Sequence, residues 1–439
     1  MRKFLLVTVV AALLLAACKS TSSSTGTSAS TATTAAATDT RAPGVTSNSI
    51  QVGIVWYDLS SLVSVLHIND GDFVKAYQAI VDDINAKGGI HGRKLVATFA
   101  GFNPTSSTEA QTACTKLTQD TKVFVAVGFF LADQVLCYVN TNATATIGGA
   151  QTAARLAQAK APWFSTDAGE NLEVNVVKAL AKEGKLDGKL AVMATAADQD
   201  LYNTKVKPAL DAAGIKPVET AILDAPTSDT TATYAQAATI SQKFKAAGAT
   251  KVLVVGESGP GSYLPGLAKT DYRPQVIISN LFGMNAYTAN KGNDFSVLKD
   301  AISGGTFGPP DAQLALGGVT KACMDVQRKA GLVIHPSSTV KPGDPDQFVA
   351  SIMACTQMGL LTAILQKAGS TLNYGTFQAA GDSLGKVDLP GYPDPWNFGA
   401  PPNADGNPKV YDFSWDSGTN AFVIAGGNSS SQGTTSTTK

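Results

Sequence analysis

Gly256-Glu257-Ser258-Gly259-Pro260-Gly261 follows a short β-branched run and has the outline of a nucleophile elbow, in which a serine sits on a sharp strand-to-helix turn. Pro260 stands where the second glycine of that motif belongs, so an exported hydrolase is the least favoured reading of this chain. The three histidines, His67, His91 and His335, include no pair at metal-ligand spacing, and each reads as structural or solvated. No Gly-x-Gly-x-x-Gly follows a strand-like run, and no Cys-x-x-Cys occurs. No catalytic residue, metal or cofactor is expected.

The two ends say where the chain goes. Arg2 and Lys3 precede an apolar run from Phe4 to Leu15 and the small residues Ala16 and Ala17, the pattern of an export signal over residues 1–17. Leu15-Ala16-Ala17-Cys18 resembles the lipobox of bacterial lipoproteins, which implies a lipid on Cys18 and an anchor at the outer face of the cell membrane. The same residues also read as an ordinary secretory signal with a chance cysteine. No later stretch is expected to reach the roughly 20 apolar residues of a membrane helix. Residues 18–43, nearly all Ser, Thr and Ala, offer no periodic apolar face and are expected to form a disordered tether; the tail 428–439 is read the same way. Four cysteines remain after Cys18, an even number in an exported chain. Their spacing suggests disulfides Cys114–Cys137 and Cys323–Cys355, the alternative being four buried thiols. Lys plus Arg and Asp plus Glu number 34 each, so no net field draws the chain to nucleic acid.

From Ile50 onward, short β-branched runs alternate with longer helical ones, the pattern of parallel sheets covered by helices. Strands are expected at Ile50–Val55, Lys94–Phe99, Val123–Val127, Thr144–Gly148, Lys189–Ala194, Pro217–Ile222, Lys251–Val255 and Gln275–Ser279. Helices are expected at Asp72–Ala86, Asn171–Glu183, Leu201–Ala213, Ala232–Ala247 and Pro345–Ala368. So long a repeat exceeds one doubly wound domain of ordinary size. It is split near Pro162–Gly169, with further crossings at Gly304–Pro310 and Leu389–Pro402.

Three segments then carry a resemblance to the branched-chain amino acid, amide and urea type of periplasmic binding protein. They are Gly44–Gly53, Asp83–Leu95 with its glycine turn, and Val123–Gly128. The resemblance implies an α/β chain of two doubly wound parallel-sheet lobes joined by a three-strand hinge, the type I periplasmic binding fold. It places 44–165 and 307–388 in the N-terminal lobe, and 166–306 and 389–427 in the C-terminal lobe. It also implies a ligand held by loops at the carboxyl ends of the strands, where open α/β sheets form their crevice. Carried over residue by residue, the ligand contacts are Ala150 and Thr152 in the first lobe and Tyr202, Glu257 and Asn280 in the second. For Tyr202 the alternative is a packed aromatic at a helix start, and Glu257 reads equally as a solvated loop carboxylate. Phe129–Gln134 lacks the hydroxyl that relatives place there, and Asn280 stands where amino acid binders tend to carry an acid. Amides, urea-like compounds, short peptides and aromatic acids stay open as ligands.

The implied activity is capture of a small polar solute, such as an amino acid or amide, and delivery to the permease and ATPase subunits of an ABC importer. The protein is expected to be a monomer. A ligand-sensing receptor component on the same fold is the alternative. The lipid anchor is directly testable: Cys18→Ser should release a soluble protein or leave the precursor uncleaved, and a variant still processed and membrane-bound rules the anchor out.

Overall fold

Val, Ile and Ala dominate the short apolar runs, and such residues suit strands buried on both faces. In the computed structural model, which describes residues 42–61, 63, 68–104, 106–166, 169–226, 229–289, 292–305, 310–341, 343–399 and 410–425, they become the inner strands of two sheets. The signal segment, Cys18, most of the tether, His67 and the Ser/Thr-rich tail lie outside the described residues.

The first lobe opens with β1 (Ser49–Tyr57), α1 (Phe73–Ala86) and β2 (Lys94–Phe102). Asp72 caps α1 by accepting the Lys75 N–H at 2.8 Å, and Gly88 and Gly89 end it at positive φ. His91, in the same turn, sets its Nε2 2.9 Å from the Gln366 carbonyl oxygen, a structural contact. Then come α2 (Ser107–Thr115), β3 (Val125–Gly128), β4 (Ala145–Ile147), α3 (Ala153–Leu156) and β5 (Trp163–Phe164). The five strands form a parallel sheet in the order β2-β1-β3-β4-β5.

The second lobe follows with α4 (Gly169–Lys182), β6 (Leu190–Thr195), α5 (Lys207–Ala212) and β7 (Glu219–Leu223). It continues through α6 (Thr230–Ala246), β8 (Lys251–Val254), α7 (Gly259–Ala268), β9 (Gln275–Ile278) and β10 (Ile302–Gly305). The chain returns to the first lobe for α8 (Gly318–Lys329), α9 (Gln347–Ala368), α10 (Tyr374–Asp382), β11 (Gly385–Val387) and β12 (Trp396–Phe398). It ends on β13 (Tyr411–Asp416) and β14 (Ala421–Ile424), an antiparallel hairpin on the edge of a seven-stranded sheet ordered β14-β13-β10-β9-β8-β6-β7.

All eight expected strands form, with ends shifted by a few residues. Three details differ from the sequence reading. The helix expected at Leu201–Ala213 is interrupted by a π turn, Tyr202–Val206, because Pro208 has no N–H to give the Thr204 carbonyl. α9 is long and apolar enough by composition to cross a membrane, contrary to expectation, yet it is mostly buried as the central helix of the first lobe. Finally, Leu389, Trp396 and Phe398 pack in the same core as Phe348, so the chain leaves the first lobe after Phe398 and not at Leu389. The crossings at 306–309 and 400–409 lie outside the described residues.

The disulfides pair as the spacing suggested. Cys114–Cys137 joins α2 to the segment after β3, with Cα atoms 6.4 Å apart, and Cys323–Cys355 joins α8 to α9 at 5.9 Å.

Gly128, at the end of β3, has φ of +144°, and a Cβ there would stand 1.9 Å from the Val55 carbonyl oxygen. Gly92 also has positive φ, +78°, but nothing lies within 4 Å of its added Cβ. Gly92→Ala should therefore cost only the backbone strain, about 1 kcal/mol. Gly128→Ala should cost roughly 3 kcal/mol or more, since backbone has to move. Urea midpoints at unchanged m-value measure both.

Candidate functional site

The expected contact residues lie at the carboxyl ends of strands in both lobes, but they do not share one role. In the first lobe the loop after β4 is tied down by side chains. Trp163 donates its Nε1–H to the Gly148 carbonyl at 2.8 Å, and Gln151, itself buried, donates to the Trp163 carbonyl at 2.8 Å. Thr152 Oγ1 accepts the Arg155 N–H at 3.2 Å, which starts α3. The Ala150 carbonyl accepts from Arg155 Nη1 at 3.1 Å. Thr152 and Ala150 are both half-buried and sit together, as the resemblance implied.

The neighbouring loop after β3 is aromatic. Phe129 packs against Tyr57, ring centroids 5.0 Å apart, and edge-on against Phe73 at 5.8 Å. Its base is held by Gln357 of α9, which donates to the Gly128 carbonyl at 3.2 Å and accepts from the Tyr77 hydroxyl at 2.5 Å.

In the second lobe the organising group is one that sequence reasoning passed over. Glu173, in α4, is 3% exposed and lies beneath the ends of β8 and β9. Its Oε2 accepts the Gly256 N–H at 2.9 Å and the Ser279 hydroxyl, and its Oε1 accepts from Asn280 Nδ2 at 3.3 Å. Burial pushes its carboxyl up to about 7; the hydrogen bonds oppose this and the Asp198 charge adds to it. On the other side of Gly256, Asp198 accepts from Thr195 Oγ1 at 2.8 Å and from the Ser258 hydroxyl. A Cβ on Gly256 would stand 2.0 Å from the Asp198 carboxyl carbon, so only glycine fits between the two acids.

Asn280 thus has a partner in Glu173 and stands at the rim, half-buried. Glu257 is exposed, and its carbonyl lies so close to Gly283 that a Cβ there would approach to 2.2 Å. Tyr202 departs from expectation. The π turn rotates its ring into the core with Val206, Leu210 and Leu253, where it is 6% exposed, and its hydroxyl lies 3.4 Å from Thr220 Oγ1. It packs in the core, the alternative that its place at a helix start also offered. Ser258, the serine of the broken elbow, is surrounded by Asp198 and Thr195, with no histidine among its hydrogen-bond partners in the described residues.

No family model and no curated protein matches the sequence. Solved structures do resemble the fold. A fatty acid ABC transporter substrate-binding protein from Thermomonospora curvata aligns at a TM-score of 0.60 and 19% identity, over 88% of this chain and 93% of that one. A periplasmic binding protein type 1 from Bordetella pertussis Tohama I gives 0.60 at 15% identity, over 86% and 99%. An ABC transporter substrate-binding protein from Desulfitobacterium hafniense, in complex with Leu, gives 0.59 at 15%, over 86% and 100%. The fold is that of the type I periplasmic binding proteins.

Glu173 is an acid whose folded pKa is raised from 4.5 to about 7, so the stability it contributes is full below 4.5 and lost as pH rises through 7. Asp70, pushed up to about 6 by burial and by Asp346, adds a slope of the same sign at lower pH. Glu173→Gln should therefore flatten the fall of stability between about pH 4.5 and 7, recovering roughly 3 kcal/mol at most. Thermal midpoints across that range are the measurement, and an unchanged slope would refute the assignment.

Proposed function

We propose that this protein is an extracytoplasmic solute-binding protein, anchored through a lipid on Cys18, that captures a small organic solute between its lobes and hands it to an ABC permease. One observation carries the reading. Two α/β lobes, linked by three passages of the chain, each bring polar groups to the carboxyl ends of their strands, the half-buried Ala150 carbonyl and Thr152 in one, half-buried Asn280 and exposed Glu257 in the other. Such ends form the crevice of open α/β sheets, and two lobes that meet over a ligand gain from contacts that neither makes alone.

The solved proteins of the same fold include ones described as bound to Leu and as binding fatty acid, which supports small-solute capture without naming the solute here. Two disulfides fit an oxidising compartment, and with it the export signal and the outward-facing anchor. Binding without turnover fits the residues around Ser258. Its two polar partners are a carboxylate and a hydroxyl, and no histidine–serine pair of the usual activated nucleophile is among the described residues.

A thermal-shift screen against amino acids, amides, short peptides and small acids tests the reading. A true ligand at a hundred times its Kd should add about 2.7 kcal/mol of stability. Thr152→Ala and Asn280→Ala should each reduce that gain, because both lobes contribute, while Tyr202→Phe should leave it unchanged. A screen in which no solute stabilises the protein, or in which the stabilising solute is turned over, would defeat the proposal.

A further inference from the structure

Arg155 is the one cation among the described residues of the loops after β3 and β4 and of the short helix that follows them. It comes just after Thr152, and its side chain turns back across both loops. Nε–H donates to Asp133 Oδ1 at 2.8 Å and Nη1–H to the Ala150 carbonyl at 3.1 Å. The side chain of Arg155 is 18% exposed, whereas that of Asp133 is 77% exposed. An ion pair to so exposed a carboxylate contributes about 0–1 kcal/mol, too little to explain why a guanidinium is held this far from water.

A guanidinium carries five N–H donors in a planar fork. Two are used, and the others, both of Nη2 included, meet no acceptor among the described residues. The fixed pair of bonds holds that fork at the Ala150 carbonyl, in the loop that also carries Thr152. Such an arrangement suits a carboxylate bound through two parallel N–H···O bonds. The loop that supplies Asp133 begins with the apolar Phe129, Phe130 and Leu131, with Phe129 against Tyr57 and Leu131 43% exposed. It has no hydroxyl of its own to hold an anion.

We infer that Arg155 holds the carboxylate of the captured solute, and that this solute is a small monocarboxylate with an apolar body lying along Phe129 and Leu131. The inference rests on the solute-binding reading and narrows it. Apolar contact favours the body, while the fork distinguishes an acid from its uncharged amide, which offers one acceptor oxygen where the acid offers two.

The test uses the full-length protein and two matched pairs of probes, benzoate with benzamide and octanoate with octanamide, in thermal shift and calorimetry. At least one acid should bind, and its amide about tenfold or more weaker. Arg155→Gln should bring the acid down to the level of the amide without changing the amide. Arg155→Lys, which keeps the charge and loses the fork, should fall between, and it decides the matter together with the acid-to-amide ratio should Arg155→Gln fail to fold. Equal binding of acid and amide by the unaltered protein, or full acid affinity in Arg155→Gln, overturns the inference. Binding of an uncharged solute in place of both acids overturns it too while leaving solute capture intact. Binding of nothing in this test and in the wider screen removes both.

Discussion

A parallel strand that stops beneath covering helices leaves its last peptide groups without a neighbouring strand to satisfy them, and a buried peptide group left unpaired costs as much as a lost hydrogen bond. Each lobe meets this constraint at one strand end with a buried polar side chain. Gln357 donates to the Gly128 carbonyl at the end of β3, and Glu173 accepts the Gly256 N–H after β8. Both side chains come from helices distant in sequence, |i−j| of 229 and 83. Both meet a glycine at positive φ, because no other residue lets a helix side chain and the neighbouring backbone come so close.

The choice of an amide in one lobe and an acid in the other has consequences. Gln357 both accepts and donates, so it joins Tyr77 to Gly128 without a charge and is indifferent to pH. Glu173 can only accept while ionised, and it sits where burial penalises ionisation, with Asp198 on the far side of Gly256. The floor of the second lobe is therefore tied to protonation. The floor of the first is tied to packing, through Trp163 and the aromatic rings about Phe129.

Gln357 also shows why the first lobe is not complete until most of the chain exists. Its sheet is made by residue 164, yet α9 and the residues up to Phe398 supply a large part of its core. A helix of that length and apolarity would be a liability in isolation. Enclosed by β3, β4, α1 and α8, and joined to α8 by Cys323–Cys355, it becomes the piece that holds the crevice end of β3 in place.

Much of this was legible from residue order. Runs such as Ile50–Val55 and Lys251–Val255 can be little else than buried strands, because β-branched residues without polar alternation need a covered sheet. Gly88-Gly89 marks the end of a helix because left-handed backbone is otherwise costly. Cysteine spacing was enough for the disulfides, as each pair lies in adjacent segments. The sites were less legible. Local pattern placed Thr152 and Ala150 in the loop after a strand, as found, while the same logic brought Tyr202 to the crevice, whereas a π turn ahead of Pro208 leaves it buried. Glu173, Asp198 and Arg155 have no local signature, since what distinguishes each is a partner on another element: Gly256, Ser258 and Asp133. Sequence alone determined the succession of strands and helices, because backbone preference and apolar periodicity act over a few residues. Which acid lies buried and which arginine keeps donors to spare was decided only by tertiary structure, because burial and hydrogen-bond partnership belong to the space between elements and not to any one of them.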